Sequence, residues 1–339
     1  MFLRSKNNVC RRIEEIFMKA KKLIPLLALV LGFSAFAGCT NSDKKVRFGN
    51  YWNVNALDTT KEAKDTEILE YDITFKAAEV SLVDYKVDYS NGKYTTRLEY
   101  VEAEDLYVYT TALNITAQYT FNGETKSVDD SITSEVKFRS GEYSLQPVSS
   151  KKEIVGSTPL TVTPETVDDC FTQFHYTLET TYNADCSEGT SVITNIPAEG
   201  EPYARDNDFE IEQKKFSYLD NEQLLFALRG IPNSTSSATV LVYSPFANAV
   251  QKVSMSYATE ESAEFTFLKN GAEQKGLITY RPISLVLDEQ NPGATQTVWI
   301  AKYEDATANK NRNVMLRLET PLSYGLGTLT YTLKSVSYQ

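Results

Sequence analysis

An alternation of apolar and polar residues, with a period of two, runs along most of this chain and restricts it to few folds. Leu69, Tyr71 and Ile73 alternate with acidic residues, for example. Successive side chains of a strand point to opposite faces, so this pattern is typical of strands with one buried face. The 21 Tyr and 16 Phe residues also suit pleated strands. The sequence therefore predicts an all-β, mostly antiparallel protein.

Turn signals divide the alternating stretches. The pairs Asn91-Gly92, Asn122-Gly123 and Asn270-Gly271 each stand between two of them. Asn-Gly accepts the positive φ of a type I′ turn, so each pair predicts a hairpin. A further hairpin is predicted at the C-terminus, around Pro321 and the glycines 325 and 327. Together these signals favour antiparallel β-sandwich-like or curved-sheet units.

One short helix is predicted near residues 220–229. Asp220 is placed to cap it, and Gly230 and Pro232 follow it. Glu222 lies in the first turn and Arg229 in the last, as the helix dipole favours.

A stretch rich in Ser, Thr, Pro and Lys, from 147 to 169, contains few aromatic residues and predicts a linker or long crossover. We therefore expect five regions. They are a signal peptide (1–38), a tether (39–46), an N-terminal β domain (47–150), a linker (151–164) and a C-terminal β domain (165–339).

The first forty residues have the parts of an export signal. The stretch 23–36 is apolar but has only fourteen residues, whereas a membrane-spanning helix needs roughly 20. Small residues then lead to Cys39, and three lysines precede the stretch: Lys19, Lys21 and Lys22. Glu14 and Glu15 do not suit such a signal, so we expect translation to start at Met18.

The run Phe36-Ala37-Gly38-Cys39 resembles the lipobox of bacterial lipoproteins. The resemblance covers only about the first forty residues. It implies a diacylglyceryl group on the Cys39 thiol, cleavage before Cys39, and anchoring at the extracytoplasmic face of the cell membrane. The alternative is an ordinary secretory signal with an incidental cysteine.

The body of the protein is strongly acidic. The whole chain carries −11 and residues 1–38 carry +5, which leaves −16 on residues 39–339. That charge repels phosphate backbones and disfavours nucleic-acid binding. It leaves neutral ligands such as glycans, and peptide or protein partners, open.

No catalytic, cofactor or metal motif is found. His175 is the single histidine, which excludes any site that needs two imidazoles, and its polar neighbours favour a solvated position. Adjacent acids such as Asp129 and Asp130 are typical of a solvated surface, although glycoside hydrolysis also uses two carboxylates. The strand predicted between Cys170 and Cys186 argues against a disulfide between them.

Four aromatic residues are candidates for ligand contact by stacking on sugar rings: Trp52, Trp299, Tyr303 and Tyr324. Core packing is the competing interpretation, because large aromatic side chains are mostly buried.

The function that these observations favour is a membrane-anchored, non-enzymatic binding or accessory protein for a glycan, peptide or protein. An extracytoplasmic hydrolase built on carboxylates is the alternative, and a structural envelope component is a third. The sequence supports a prediction of cellular location better than a prediction of activity, since fold class alone does not define function.

Lipidation can be tested by intact mass. We expect the membrane-extracted protein to start at Cys39 and to carry acyl chains, and Cys39→Ala to remain uncleaved. A mature protein that starts elsewhere, or that lacks acyl mass, would contradict the lipobox.

Overall fold

The computed structural model describes residues 45–53, 64–79, 81–141, 144–212, 215–232, 235–287, 295–302 and 312–339. In these ranges sixteen strands form one sheet. The strands are β1 (Glu67–Ala77), β2 (Lys86–Val101), β3 (Leu106–Phe121), β4 (Glu124–Gly141), β5 (Ser144–Pro159), β6 (Phe171–Tyr182), β7 (Glu188–Asn195), β8 (Tyr203–Glu210), β9 (Ser217–Tyr218), β10 (Ser237–Ser244), β11 (Ala249–Tyr257), β12 (Glu261–Lys269), β13 (Ala272–Leu287), β14 (Gln296–Ala301), β15 (Met315–Pro321) and β16 (Gly327–Tyr338).

The order of the strands in the sheet is β8-β7-β6-β5-β4-β3-β2-β1-β16-β15-β14-β13-β11-β10-β9, and β12 pairs with β13 and β16. Neighbours are antiparallel except for β9 with β10 and β12 with β16. The first long strand, β1, therefore lies between β2 and the last strand, β16. The predicted all-β, mostly antiparallel class is confirmed.

The sheet curls into a barrel-like shape with an inner and an outer face. On β3 the side chains of Tyr107, Tyr109 and Leu113 are buried in the main core, whereas Thr110 and Asn114 point outward. We call the core side the inner face and the opposite side the outer face.

The two ends of the barrel carry different connections. The β2–β3, β4–β5 and β6–β7 turns lie at one end, which we call the tether end because the first described residue, Lys45, lies there. Lys45 and Val46 line a pocket with the start of β5 and with the β6–β7 turn. The first described residues of the chain therefore lie at the tether end.

A short helical segment fills the interior. It consists of α1 (Leu224–Ala227) between two 3-10 turns, Asn221–Gln223 and Leu228–Gly230. Asp220 caps it by accepting from the backbone N–H of Glu222 at 2.8 Å, so the predicted helix and its cap are confirmed. Phe226 packs in the core with its ring centroid 4.9 Å from that of Trp52.

The two ends of the sheet overlap instead of joining by backbone pairing in the described residues. Val240 and Val242 of β10 point into the main core, whereas Leu241 and Tyr243 point outward into a second cluster. Phe209 of β8 stacks on Tyr243 there, with ring centroids 3.8 Å apart and planes at 5°. The inner face of the β8 end thus covers the outer face of β10, and the sheet is rolled like a spiral.

The Asn-Gly predictions have two outcomes. The pairs 122–123 and 270–271 form the β3–β4 and β12–β13 turns, with positive φ at all four residues. The pair Asn91-Gly92 lies inside β2, where Asn91 has φ 55° and the pairing with β3 shifts between Ser90 and Lys93. That hairpin prediction is wrong, because a β-bulge accepts the same left-handed residue as a turn.

The linker predicted at 151–164 is wrong as well, because β5 extends to Pro159 and pairs with both β4 and β6. Its inner face carries polar residues that the helical segment satisfies. Ser150 donates to Asp220 at 2.6 Å, and Lys152 binds Glu222 at 2.9 Å. The polar composition of this strand comes from those inner partners together with outward-facing residues such as Lys151 and Glu153, and β5 pairs with β4 and β6 as part of the sheet.

Gly92 is required by close packing, which a substitution can test. A Cβ atom at Gly92 would lie 2.6 Å from the Cβ of Ile73 in the neighbouring strand. We expect Gly92→Ala to lower the free energy of unfolding by about 1–3 kcal/mol, as for other overpacked sites. Gly276→Ala on β13 is the control, since nothing lies within 4 Å of its added Cβ. Equal denaturant midpoints for the two variants would contradict this reason.

Candidate functional site

A groove of about 690 Å³ crosses the outer face of β1 to β6. We call it the outer groove. Most of the outward-facing residues that line it are of polar or charged type, and the full set is Ile68, Thr95, Arg97, Thr110, Ala112, Thr133, Glu135, Lys151, Glu153, Thr177 and Glu179. Strand register places them in rows across the sheet, because Glu135 lies opposite Lys151 and Lys151 lies opposite Glu179.

The charges of the outer groove alternate in sign along these rows. Lys151 donates to Glu179 at 3.1 Å, and Arg97 binds Glu99 on its own strand at 2.6 Å. Such exposed ion pairs contribute little to stability, roughly 0–1 kcal/mol each. Their polar atoms are therefore available to a ligand at small cost to the fold.

His175 lies beside the outer groove on β6. Its Nε2 atom lies 2.8 Å from Glu153 Oε1, and its ring is about one third exposed. The predicted polar, solvated position of His175 agrees with this contact. In the described part of the chain no hydroxyl or thiol is hydrogen-bonded to the ring, so no nucleophile–base pair is formed here.

The aromatic residues proposed for ligand contact do not meet in the structure. Trp52 is 1 % exposed and packs against the rings of Tyr107 and Phe138 in the core. Trp299 lies on the outer face of β14 with the Arg317 guanidinium 5.1 Å from its ring centre. None of the described candidates lines the outer groove.

Tyr324 and Tyr303 complete this set. Tyr324 is half-buried in the β15–β16 connection, where its carbonyl accepts from the N–H of Leu82 at 3.1 Å. Tyr303, like Cys39, lies outside the described residues. Trp52 is thus a core residue, although the polar residues Asn53 and Asn55 follow it in the sequence. Asn53 is itself buried and donates to Tyr107 Oη at 2.6 Å.

A chain of buried polar groups ties the helical segment to the sheet. The Asp220 carboxylate accepts from Ser150 and Tyr182, each at 2.6 Å. Burial, together with the nearby Glu222 carboxylate, raises the pKa of Asp220. Further along, Arg229 binds both oxygens of Glu67 at 2.5 and 3.0 Å, with both side chains almost fully buried. These contacts hold the interior in place, and the outer groove does not include them.

Asp130 is a second buried acid, on the inner face of β4 and 1 % exposed. Ser157 donates to its Oδ2 atom at 3.1 Å, and Tyr119 lies 3.0 Å from Ser157. Its Oδ1 atom and the hydroxyl of Tyr89 have no hydrogen-bond partner in the described residues. Burial raises the pKa of Asp130 to about 7.

Neither described cysteine forms a disulfide, and both are buried, Cys170 before β6 and Cys186 after it. The continuous strand β6 separates them, as the sequence predicted. Burial raises the pKa of both thiols, which disfavours the reactive thiolate.

Across the described ranges, no group of three or more His, Cys, Asp or Glu side chains is placed to hold a metal ion. No helix in that part of the chain has both the length and the apolar character needed to cross a membrane.

The sequence did not single out the residues of the outer groove. Each polar residue of the groove lies at a polar position of an alternating strand. The solvent-exposed face of an ordinary sheet has the same sequence pattern. Only the register that aligns Glu135 with Lys151 and Glu179 brings them together. The sequence feature that pointed to this face was the row of polar residues at alternate positions of β2 to β6.

The buried Asp130 carboxyl generates a pH prediction. The folded pKa of about 7 exceeds the unfolded value of about 4, so the folded state retains a proton that the unfolded state loses. The Asp130 carboxyl therefore lowers the free energy of unfolding by an amount that grows as the pH rises from about 4 to 7. We expect the stability of Asp130→Asn relative to the natural protein to rise by about 2–4 kcal/mol between pH 4 and pH 8.

Urea unfolding at both pH values measures this difference. Asp129→Asn is the matched control, because Asp129 lies on the exposed side and accepts from Thr116. A pH-independent difference for Asp130→Asn, or the same pH dependence in both variants, would contradict the prediction.

Comparisons with known proteins give one structural likeness to report. No family model matches the chain, and no curated protein matches it. The chain is similar to a crystal structure described as a beta-barrel-like protein of domain of unknown function DUF1849 from Brucella abortus. The two share 9 % identity over 81 % of this chain and 98 % of that chain, with a TM-score of 0.45.

Proposed function

We propose that this chain is a lipid-anchored protein of the extracytoplasmic face that binds a glycan in the outer groove without transforming it. The observation that carries the proposal is the lining of the groove, where four threonine hydroxyls stand among five charged side chains. Every one of these groups can donate or accept a hydrogen bond.

This lining suits a ligand rich in hydroxyl groups. A sugar hydroxyl both donates and accepts, and carboxylates such as Glu135 and Glu153 accept from it while Arg97 and Lys151 donate to it. The groove residues lie on paired strands, which hold a binding site more rigidly than loops. Because no aromatic ring of the described residues lines the groove, recognition there rests on hydrogen bonds rather than on stacking.

The position of Lys45 at one end of the barrel supports an anchored protein with an accessible groove. Lys45 lies six positions after Cys39, and an extended chain over six positions spans about 20 Å. The tether end would then lie within about that distance of the membrane. The groove crosses the strands on the side of the barrel, so neither end of the barrel covers it.

Hydrolysis is the second candidate, and one observation favours it. Glu135 and Glu179 flank Lys151 on adjacent strands, which puts their Cα atoms about 10 Å apart. Two carboxylates at a comparable separation serve inverting glycosidases. Against this, the side chain of Glu179 is more than half exposed, whereas a general acid is typically kept dry.

Variants of the groove test the proposal. The lipidated protein, held in detergent micelles, is screened against glycans and cell-wall fragments, and hits are repeated with Arg97→Ala and Glu135→Gln. We expect each variant to weaken binding at least tenfold, since a hydrogen bond to a charged group contributes about 1.5–3 kcal/mol. Glu264→Gln is the control, because Glu264 is exposed on β12, away from the groove.

The outcomes separate the candidates. Binding that falls in the groove variants and persists in the control supports a glycan-binding protein. Product release that Glu135→Gln abolishes would replace it with the hydrolase. Absence of binding to every glycan, with all variants folded by circular dichroism, would sink the proposal and favour a structural envelope role.

A further inference from the structure

The strand β8 ends the sheet. One of its edges pairs with β7, and in the described residues its other edge pairs with no strand. All eight of its residues are exposed or half-buried. An edge strand presents a row of unpaired N–H and C=O groups, which is a template for one more strand.

Because the ends of the sheet overlap, the edge of β8 lies above the outer face of other strands, and we call this underlying surface the floor. Stacking of Phe209 on Tyr243 holds β8 above the outer face of β10, and β8 also contacts β11. Exposed residues on the outer face of β11 include the small Ser254 and Ser256, which lie opposite Val286 and Ser284 of β13. Short side chains leave room for a further strand beside β8 and above this floor.

The charge of the edge selects the partner. Asp206, Asp208 and Glu210 alternate along the outer side of β8, and Glu188 of β7 lies opposite Glu210. A strand added beside them would place side chains within cross-strand distance of the three carboxylates, where opposite charges stabilise and like charges repel. A second copy of this chain would bring its own acids to that edge. A basic strand is therefore favoured over self-association.

We propose that the free edge of β8 binds an extended, basic peptide segment of another protein by strand addition. The site is separate from the outer groove, and the proposal does not depend on the glycan. Backbone hydrogen bonds supply the pairing, and the acidic row of β8 selects lysine or arginine at alternate positions of the partner.

The test uses a fluorescent octapeptide of alternating lysine and valine with the full chain in detergent micelles. Anisotropy measures its affinity for the natural protein and for Asp206→Lys combined with Asp208→Lys. Because the whole body is acidic, Glu264→Lys serves as the control for unspecific attraction. The same peptide with every backbone amide N-methylated keeps its charge but has no backbone donor for pairing. Hydrogen exchange with mass spectrometry follows residues 203–210.

We expect the peptide to bind, to slow exchange in residues 203–210, and to lose at least tenfold in affinity with the double variant. The control variant should bind within about twofold of the natural protein, and the N-methylated peptide should lose at least tenfold. Equal loss in both variants, retained affinity of the N-methylated peptide, or no binding at all would overturn the proposal. A dimer in light scattering that the double variant alters would assign the edge to a second copy and overturn it as well.

Discussion

The fold depends on filling the interior of a rolled sheet. Wall side chains alone fill a barrel of about eight strands, and larger barrels need a plug or enclose a cavity. Here the helical segment is the plug, with Phe226 against Trp52 in the core. Its polar ends are held by Asp220 at the cap and by the buried Arg229–Glu67 pair. Breaking one partner of such a pair costs about 3–5 kcal/mol, because it leaves an uncompensated buried charge. The plug thus fills the interior around which the sheet is rolled.

Period-two alternation was enough to predict the all-β class, and two Asn-Gly pairs were enough to place real turns. The same logic failed at Asn91-Gly92, where a bulge uses the conformation that a turn would use. It failed again at residues 151–159, where the inner face of β5 is polar because Asp220 and Glu222 lie against it. A short stretch of sequence indicates the local backbone conformation. The bulge in β2 and the polar inner side of β5 depend instead on residues that are distant in the chain.

Prediction of the site was limited for the same reason, because burial and strand register depend on residues that are distant in the chain. Trp52 was proposed as a ligand contact and is a core residue, since neighbouring polar residues in sequence do not set burial. The row of Glu135, Lys151 and Glu179 depends on the register of three strands. A shift of one residue would send each side chain to the opposite face. Each of these polar positions taken alone is therefore typical of a solvent-exposed surface. The groove becomes apparent only when the strands are paired in the sheet.

The placement of β1 beside β16 bears on how the protein is made. These strands lie at opposite ends of the described chain and pair over eleven residues of β1. The central ladder cannot close until the last strand has been synthesised and, if the chain is exported, has crossed the membrane. Non-local pairing of this kind folds slowly, because loop closure must precede the contacts that stabilise it. Incomplete sheets also expose unpaired edges. We therefore expect the chain to need protection from aggregation until its C-terminus arrives.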